Sequence, residues 1–259
     1  MNSIWTGSAQ AYVASLALPA ARPDSFEAAE AISLPEFTAA KDQAMIVGSD
    51  IVSFVKGVTP ERRADIARSS LLAQLAAKKR VRDKKDIYKW YEAYFDVLMN
   101  VGWIIQDQGF AVYTEASRDF ETHEAIMKVA ASLLGPSAAT LAVVKATLDA
   151  LKSMAANSPW ITLFNRESRS SNTARFQINL VEGRGRGEQL IVSMMAFGLE
   201  ATSRQTQILF AKFQSNDVSV KQYSSKITIE PDVLESIRDL ISKRVAAYAR
   251  DYIRTLPDF

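Results

Sequence analysis

The chain has 259 residues, of which 48% are apolar, and a formal net charge of +2. This length and composition allow a substantial core in one large domain or two smaller ones, and they exclude disorder as the main state. The near balance of charge excludes a strong overall field toward nucleic acid, so any such partner must bind a local patch. Because the chain has no cysteine, disulfides, thiolate nucleophiles and cysteine-based zinc sites are excluded as well.

The N-terminal segment contains an apolar run, Ala11 to Leu18, followed by small residues that are typical of a cleavage region. No Lys or Arg precedes Arg22, so the positive region of a secretory signal is missing. We therefore predict an N-terminal arm that packs on the domain. We expect cytoplasmic synthesis and, if the protein is exported, export without a standard signal peptide.

A helical pattern extends from about residue 34 to residue 157. Thr59 can cap a helix that begins at Pro60, with Glu61 in its first turn. The next segment has apolar residues at alternating spacings of four and three, which predicts a helix with one continuous apolar seam. The seam consists of Ile87, Tyr91, Tyr94, Leu98 and Val101.

After Pro159 the period changes to two, which is typical of β-strands. Phe176, Ile178 and Leu180 alternate with polar residues, and a second strand follows the glycine-rich sequence EGRGRGE, so the two form a long hairpin. Three further candidate strands are QTQILFAKFQ, DVSVKQY and SKITIE. Pro231 then suits the first turn of a final amphipathic helix.

These elements predict an α+β fold, with a helical N-terminal part followed by an antiparallel β-sheet and a closing C-terminal helix that covers one face of the sheet. We divide the chain into a mainly helical part, residues 1–158, and a sheet part with the last helix, residues 159–259. Because no linker separates them, the two parts can also form one joint domain.

Several segments resemble parts of bacterial hypothetical proteins to which no function has been assigned. They are NVGWIIQDQGFAVYTEASRDFETHEAIMKVAASLLGP, PWITLFNRES, ARFQINLVEG and SMMAFGLEA, within Tyr88 to Phe259. The resemblance implies a bacterial origin and no particular activity, so it assigns no functional residue.

The stretch from Lys128 to Leu151 contains sixteen consecutive uncharged residues, 129–144, interrupted by Gly135 and Pro136. Sixteen residues are fewer than the roughly twenty that a membrane-spanning helix needs, and the Gly-Pro pair divides them, so a single span is rejected. We predict an amphipathic helical hairpin, residues 124–157. Its apolar positions are Leu133 and Leu134 on the first helix and Leu141, Val144, Leu148 and Leu151 on the second.

The hairpin has three possible uses. It can be ordinary core, since amphipathic helices of this length usually are. It can be a stored element that leaves the core and enters a membrane, for which its small residues are suited. It can also be a pair of helices that binds a partner.

A second candidate is a basic patch. Six of the eight residues from Lys78 to Lys85 are basic, and on one continuous helix Lys78, Arg82, Lys85 and Lys89 would form a stripe. Such a stripe could bind phosphates of nucleic acid or of anionic lipid headgroups. The alternative is a solvated junction between helices in which lysine stems cover aromatic rings.

The remaining patterns favour no catalytic chemistry. EGRGRGE connects two strands, so no helix N-terminus follows it to bind phosphate, and Arg184 and Arg186 are expected at an exposed hairpin tip. His123 is the only histidine, which excludes sites that need several, and we expect it near a helix start capped by Thr122. We predict no cofactor and no metal.

The sequence favours a non-enzymatic bacterial protein that acts by self-association or at a membrane surface, toxin-like or assembly-forming. Its expected partners are further copies or another protein, with an anionic membrane surface as a further candidate, and nucleic acid is disfavoured. The alternatives are an intracellular binding or scaffold module and a hydrolase whose two carboxylates meet only in the fold, near Tyr113 or Trp160.

Overall fold

A computed structural model describes residues 2–21, 37–106, 109–113, 119–136, 138–184, 189–202, 207–214 and 217–258. Its helices are α1 (Asn2–Ser15), α2 (Pro60–Arg80), α3 (Ile87–Asn100), α4 (Thr122–Leu134), α5 (Ala139–Ser153), α6 (Pro159–Ser168) and α7 (Pro231–Tyr252). Its strands are β1 (Gln43–Val47), β2 (Asp50–Phe54), β3 (Trp103–Ile104), β4 (Ala111–Val112), β5 (Asp119–Glu121), β6 (Arg169–Ser170), β7 (Thr173–Arg184), β8 (Gln189–Ala201), β9 (Lys212–Gln214), β10 (Val218–Ile229) and β11 (Ile253–Thr255).

A mixed sheet lies at the centre of the molecule. Its strand order is β11-β1-β2-β7-β8-β10-β3, with β4 paired to β10 and β6 paired to β7. The pairing of β2 with β7 is parallel, with Asp50 opposite Gln177, whereas the other pairs in this sheet are antiparallel. A separate small sheet consists of β5 and β9. The parallel pair joins a strand of the N-terminal part to the long hairpin of the C-terminal part.

Helices cover both faces of this sheet. One core cluster combines residues of α1, α2, α3 and α7 with one set of sheet residues, and a second combines residues of α4, α5 and α6 with the alternate set. Along β7, for example, Val181 belongs to the first cluster and Ile178 to the second. Because successive side chains of a strand point to opposite faces, the chain forms three layers, helix on sheet on helix.

Local sequence explains the start of α2 and the buried face of α3. The hydroxyl of Thr59 accepts a hydrogen bond from the backbone N–H of Arg62 at 3.4 Å, and Pro60 is the first residue of α2. This is the predicted cap, and it satisfies one donor of the first turn. In α3 the predicted seam is buried, with Tyr94 and Leu98 both fully inaccessible to solvent.

The N-terminal helix packs on the last one. Ala9, Val13 and Leu16 are buried in the same cluster as residues of α7. The hydroxyl of Tyr248 in α7 donates to the carbonyl oxygen of Pro19 at 2.6 Å. These contacts are those expected of an N-terminal arm that packs on the domain.

The predicted α+β class is confirmed, but four elements differ from the prediction. Within the described residues, the candidate strand QTQILFAKFQ is β-strand only at Lys212–Gln214. Residues 43–54 form the hairpin β1–β2, not helix, because two apolar runs flank a two-residue turn in which Gly48 has a φ of 57°. Residues 159–168 form helix α6, which Ser158 caps by accepting from the N–H of Ile161 at 3.5 Å. The two candidate strands after residue 217 are one continuous strand, β10.

The sheet also crosses the predicted boundary at residue 158. Strands β1 and β2 from the first part and β7 and β8 from the second belong to the same sheet. The division into two parts stays a prediction, and the shared sheet favours its alternative, one joint domain.

Two glycines with the same backbone conformation allow a controlled test of packing between α3 and α7. Gly102 and Gly57 have φ values of 96° and 94°, so an alanine is strained at both positions. A Cβ at Gly102 would lie 3.2 Å from Cβ of Val233 and 3.3 Å from the carbonyl oxygen of Glu230, whereas none of the surroundings of Gly57 comes within 4 Å. We expect Gly102→Ala to lower the free energy of unfolding by about 1 to 3 kcal/mol more than Gly57→Ala, as measured by urea denaturation. Equal losses would show that the close approach to α7 is easily relieved.

Candidate functional site

Helices α4 and α5 form the predicted helical hairpin. Helix α4 ends at Leu134, Gly135 follows with a φ of 98°, and α5 begins at Ala139. Glycine tolerates this left-handed conformation, and Pro136 cannot continue a helix, so the turn follows directly from the Gly-Pro pair. We call residues 131–136 and 138–142 the hairpin tip.

The inner face of the hairpin is core. Val144, Leu148 and Leu151 of α5 are at most 1% exposed, as is Ile126 of α4. They share their cluster with sheet residues of β1, β2, β7 and β8, which include Ile46, Ile51, Phe176, Ile178, Leu180, Met195 and Phe197. Thus three of the six apolar residues predicted as a membrane or partner contact are fully buried against the sheet in this conformation.

The other three lie at the hairpin tip and are only partly buried. Leu133, Leu134 and Leu141 pack on the edge of the same cluster. Beside them Pro136 and Ala142 are exposed, and the tip carries no charged residue. The tip is therefore an uncharged surface with leucines at its margin.

A buried polar contact joins the hairpin to the sheet. The hydroxyl of Thr147 in α5 donates to the carbonyl oxygen of Val143 at 2.9 Å and lies 2.8 Å from the hydroxyl oxygen of Ser53 in β2. Both side chains are buried, so this hydrogen bond forms out of contact with water. At the base of α4, the backbone N–H of Thr122 donates to the carbonyl oxygen of Ala211 at 3.0 Å.

His123 lies where α4 faces α5. Its Nε2 is 3.9 Å from Oδ1 of Asp149, and its ring centroid is 5.9 Å from that of Phe210. Burial lowers the pKa of His123, and the positive charge of Lys152 lowers it further. The expected cap by Thr122 is wrong. Glu121 is the N-cap residue and its side chain forms no cap hydrogen bond, while the hydroxyl of Thr122 donates to the carbonyl oxygen of Ala211 at 3.5 Å.

The basic stripe is not on one helix. Helix α2 ends at Arg80 and α3 begins at Ile87, because the chain turns back so that both helices pack together on one sheet face. Nζ of Lys78 lies 3.1 Å from Oε2 of Glu167, and Nζ of Lys89 lies 3.1 Å from Oδ2 of Asp86.

Arg82 and Lys85 are exposed in the connection between these two helices. They lie in the helical layer opposite the hairpin. The binding of phosphates by the basic patch stays a prediction. The structure does not describe residues 185–188 of the glycine-rich loop, which include Arg186, nor the side chain of Arg184. The expected exposure of these two arginines therefore lies outside the described residues.

A row of buried polar side chains was missed by sequence reasoning. Arg175, Gln177 and Asn179 alternate with apolar residues in β7, a pattern that predicts a solvent-facing side, yet each is at most 8% exposed. Helices α2 and α3 cover this side of the sheet. Gln177 Nε2 and both side-chain polar atoms of Asn179 are buried without a hydrogen-bond partner.

Asp50 belongs to the same row. Its carboxylate accepts hydrogen bonds from the hydroxyl groups of Ser70 and, at 2.9 Å, of Tyr94, while its Oδ1 has no partner. Burial raises the pKa of Asp50 to about 7, against the lowering effect of these hydrogen bonds. The sequence alone does not predict this environment of Asp50. Asp50 is a single polar residue at the start of an apolar strand, and the side chains around it come from two distant helices.

A cleft of about 460 Å³ lies where α1, the end of α3 and the start of α7 meet. Its lining includes Glu230 and Asp232 as well as Met99 and Ile104, which are 38% and 40% exposed. The positions named for a hydrolase lie elsewhere: Nε1 of Trp160 donates to the carbonyl oxygen of Thr255 at 2.6 Å, and Tyr113 pairs its backbone N–H with Val220. Within the described ranges, no three His, Asp or Glu side chains are grouped so that they could hold a metal ion. The hydrolase alternative stays a prediction.

None of the helices in the described part of the chain is long and apolar enough to cross a membrane.

No protein-family model matches the chain, and no curated protein sequence matches it. This result agrees with the resemblance to proteins of unassigned function. Solved structures with partial likeness include activated Cyt2Ba monomer from Bacillus thuringiensis subsp. israelensis, with 14% identity, coverage of 69% of this chain and 96% of that chain, and a TM-score of 0.38.

A delta-endotoxin is 12% identical, with coverage of 82% and 90% and a TM-score of 0.36. The Evf virulence factor is 10% identical, with coverage of 80% and 84% and a TM-score of 0.36. At TM-scores this low, the likeness establishes neither a common fold nor a common function.

The buried carboxyl of Asp50 predicts a pH dependence of stability. Its pKa is about 7 in the folded protein, against about 3.9 in an unfolded chain, so the native state binds the proton more tightly. Stability from this group is therefore fully present below about pH 4 and is lost as the pH rises to about 7. A shift of one pKa unit corresponds to about 1.4 kcal/mol of stability. We therefore expect the free energy of unfolding of Asp50→Asn to exceed that of the wild type by a few kcal/mol at pH 8, and by less at pH 5.

The measurement is urea denaturation of both proteins at pH 5 and pH 8. Glu92→Gln, which removes an exposed carboxylate from the same helix as Tyr94, serves as the control and should follow the wild type. If Asp50→Asn also follows the wild type at both pH values, the carboxyl of Asp50 is not the titrating group.

Proposed function

We propose that this protein is non-enzymatic and acts at a membrane surface, as a toxin-like or assembly-forming protein whose mobile element is the α4–α5 hairpin. The observation that carries the proposal is the hairpin tip, which has no charge and keeps Leu133, Leu134 and Leu141 at the margin of the core. Such a tip can enter the apolar part of a bilayer interface without desolvating a charged side chain.

The α2–α3 pair and the α4–α5 hairpin are attached to the sheet in different ways. In the opposite layer, Nε2 of Gln74 donates to the carbonyl oxygen of Val47 at 2.7 Å. The hydroxyl of Tyr91 lies 2.9 Å from the carbonyl oxygen of Phe176 and 2.8 Å from that of Phe197, and it can donate a hydrogen bond to either. Side-chain bonds to the strand backbone thus hold α2 and α3. The contacts between the hairpin and the central sheet are mainly apolar, with the buried hydrogen bond between Ser53 and Thr147 among them. This difference supports the hairpin as the element that moves.

Release of the hairpin requires an apolar environment. Burial of a Val, Leu or Ile side chain contributes roughly 1.5 to 3 kcal/mol, so exposure of Ile126, Val144, Leu148 and Leu151 to water would be strongly unfavourable. A membrane interface can accept the same surface. The soluble conformation is therefore favoured in water, and the released one only where lipid or another apolar surface is present.

The hairpin would lie in the interface and not span the membrane. Helices α4 and α5 have 13 and 15 residues, which corresponds to about 20 Å each at 1.5 Å per residue. This is less than the roughly 30 Å of the hydrocarbon core. Released apolar faces of neighbouring copies can also pack on one another, so self-association at the surface follows from the same step.

A disulfide between the hairpin and the sheet tests the mobile element. The hydroxyl oxygens of Ser53 and Thr147 are 2.8 Å apart, so cysteines at these positions are close enough for a disulfide. Because the chain has no cysteine, the double variant Ser53→Cys/Thr147→Cys forms this disulfide alone. We expect the oxidised variant to release at least tenfold less dye from anionic liposomes than the same variant after reduction.

Wild-type protein with and without the reductant controls for effects of the reductant on lipid. Equal leakage from the oxidised and reduced variants would show that the hairpin stays on the sheet during membrane contact. A wild type that causes no leakage across the range from pH 4 to 8 would remove the membrane proposal. A defined oligomer by size exclusion with light scattering would then favour the scaffold alternative.

A second test concerns the hairpin tip. Leu141 and Leu240 are partly buried leucines in opposite helical layers, so serine at either position should lower stability by a similar amount, about 1 to 2 kcal/mol. We expect Leu141→Ser to reduce liposome binding in flotation assays several-fold, and Leu240→Ser to leave it near the wild-type level. A similar loss in both variants would point to general destabilisation and not to a lipid contact of the tip.

A further inference from the structure

The cleft of about 460 Å³ between α1, the end of α3 and the start of α7 is large enough for a small organic molecule, since sites for such molecules measure about 300 to 1,000 Å³. Backbone contacts fix several residues that line it. Trp103 of β3 pairs with Ile229 of β10, and the backbone N–H of Glu230 donates to the carbonyl oxygen of Gly102 at 2.8 Å. The start of α7 is therefore held against the end of β10 and β3, so the cleft does not need a ligand to form.

One part of the lining is apolar. Met99 and Ile104 line the cleft and are 38% and 40% exposed, and Val233 of α7 lines it beside them. Ile104 belongs to β3, a strand of two residues that comes last in the strand order of the sheet. Exposed apolar side chains in a concave site favour a ligand with an apolar group, because contact with that group removes them from water.

Another part of the lining is acidic. Glu230 and Asp232 at the start of α7 line the cleft and are exposed, and none of the described residues that line it is basic. The side chain of Glu230 forms no cap hydrogen bond with α7, so its carboxylate is available to a ligand. The dipole of α7 offsets only roughly half of one negative charge at this end of the helix. The cleft therefore favours a cation.

We propose that this cleft binds a small organic ammonium ion that carries an apolar group. The carboxylate of Glu230 attracts the ammonium group, and Met99, Ile104 and Val233 contact the apolar group. An organic anion would be repelled by the acidic residues, and a hydrated metal ion would leave the apolar side chains uncovered. The cleft lies in the helical layer opposite the α4–α5 hairpin, so the proposal is independent of the membrane proposal, and either can fail without the other.

Octylammonium, a primary amine with an apolar chain, is the probe for this site. Isothermal titration calorimetry of the full chain at pH 7 should show that octylammonium binds about tenfold more tightly than neutral octanamide, and that octanoate does not bind. Methylammonium, which lacks the chain, should bind more weakly than either octylammonium or octanamide. Absence of octylammonium binding would overturn the proposal. Equal affinities for octylammonium and octanamide would overturn it too, because the charge would then have no role.

Two variants with matched controls locate the bound amine. Glu230→Gln keeps the backbone hydrogen bond to Gly102 and should weaken octylammonium binding several-fold while leaving octanamide binding unchanged. Asp239→Asn, which removes an exposed carboxylate of α7 outside the cleft lining, should bind both as the wild type does. Ile104→Ser should weaken binding of both compounds. Val112→Ser, which replaces a 66% exposed apolar residue of β4, should weaken neither.

The hairpin is the other apolar surface on which an amphiphilic amine could bind. Leu141→Ser, in the hairpin tip, should keep the wild-type affinity for octylammonium, because the hairpin lies on the other face of the sheet. Loss of binding in Leu141→Ser but not in Glu230→Gln would place the amine on the hairpin and contradict the proposal. Binding of a lysine-rich peptide without binding of octylammonium would identify a protein segment as the occupant, and the proposal would fail.

Discussion

The fold depends on the burial of both faces of the long hairpin β7–β8. In β8 every residue between its exposed first position, Gln189, and Glu200 is buried, so neither face of the sheet can be left to water. Two helical layers are required to cover them, and the chain supplies α1, α2, α3 and α7 for one face and α4, α5 and α6 for the other. The parallel pairing of β2 with β7 extends this doubly covered sheet into the N-terminal part of the chain.

The α2–α3 pair and the α4–α5 hairpin differ in how they contact the sheet, although both bury apolar side chains. The layer of α2 and α3 meets the polar side of β7, and its contacts include side-chain bonds to strand carbonyls from Gln74 and Tyr91. The hairpin layer meets a side of β7 formed by Phe176, Ile178 and Leu180. A directed hydrogen bond fixes the position of one element relative to another. Apolar contacts lose less free energy when the same surface moves into another apolar medium. This difference connects the architecture to the proposed mobility of the hairpin.

The polar side of β7 also explains why the molecule holds unusual charges in its interior. Asp50 and Arg175 are both buried on this side of the sheet, and neither forms a hydrogen-bonded ion pair with another described residue. A carboxyl can relieve this situation by taking up a proton, and its raised pKa reflects that option. A guanidinium holds its proton too tightly to do the same, and Arg175 is instead stabilised by the Trp90 ring, 4.2 Å from its guanidinium carbon, and by the charge of Glu167.

The sequence by itself determined the elements whose signal is local. The apolar seam of α3, the cap of α2 at Thr59, the Gly-Pro turn of the hairpin, the strand pair β7–β8 and the last helix all follow from periodicity or from the chemistry of one residue. The hairpin β1–β2 had a local signal too, two apolar runs around Gly48 and Ser49, but it was outweighed by the helical pattern on either side. Helix α6 was not predicted, because its 10 residues directly precede a strong strand pattern.

Only the tertiary structure decided which faces are covered. The alternation of Arg175, Gln177 and Asn179 with apolar residues predicts that one face of β7 is exposed to solvent. This face is buried because α2 and α3 pack on it. The turn between Arg80 and Ile87 likewise separated Lys78 and Lys89 and gave each its own carboxylate partner. The pattern of one strand or helix specifies the faces that can be buried, but not the distant elements that reach them, because those contacts join residues far apart in the chain.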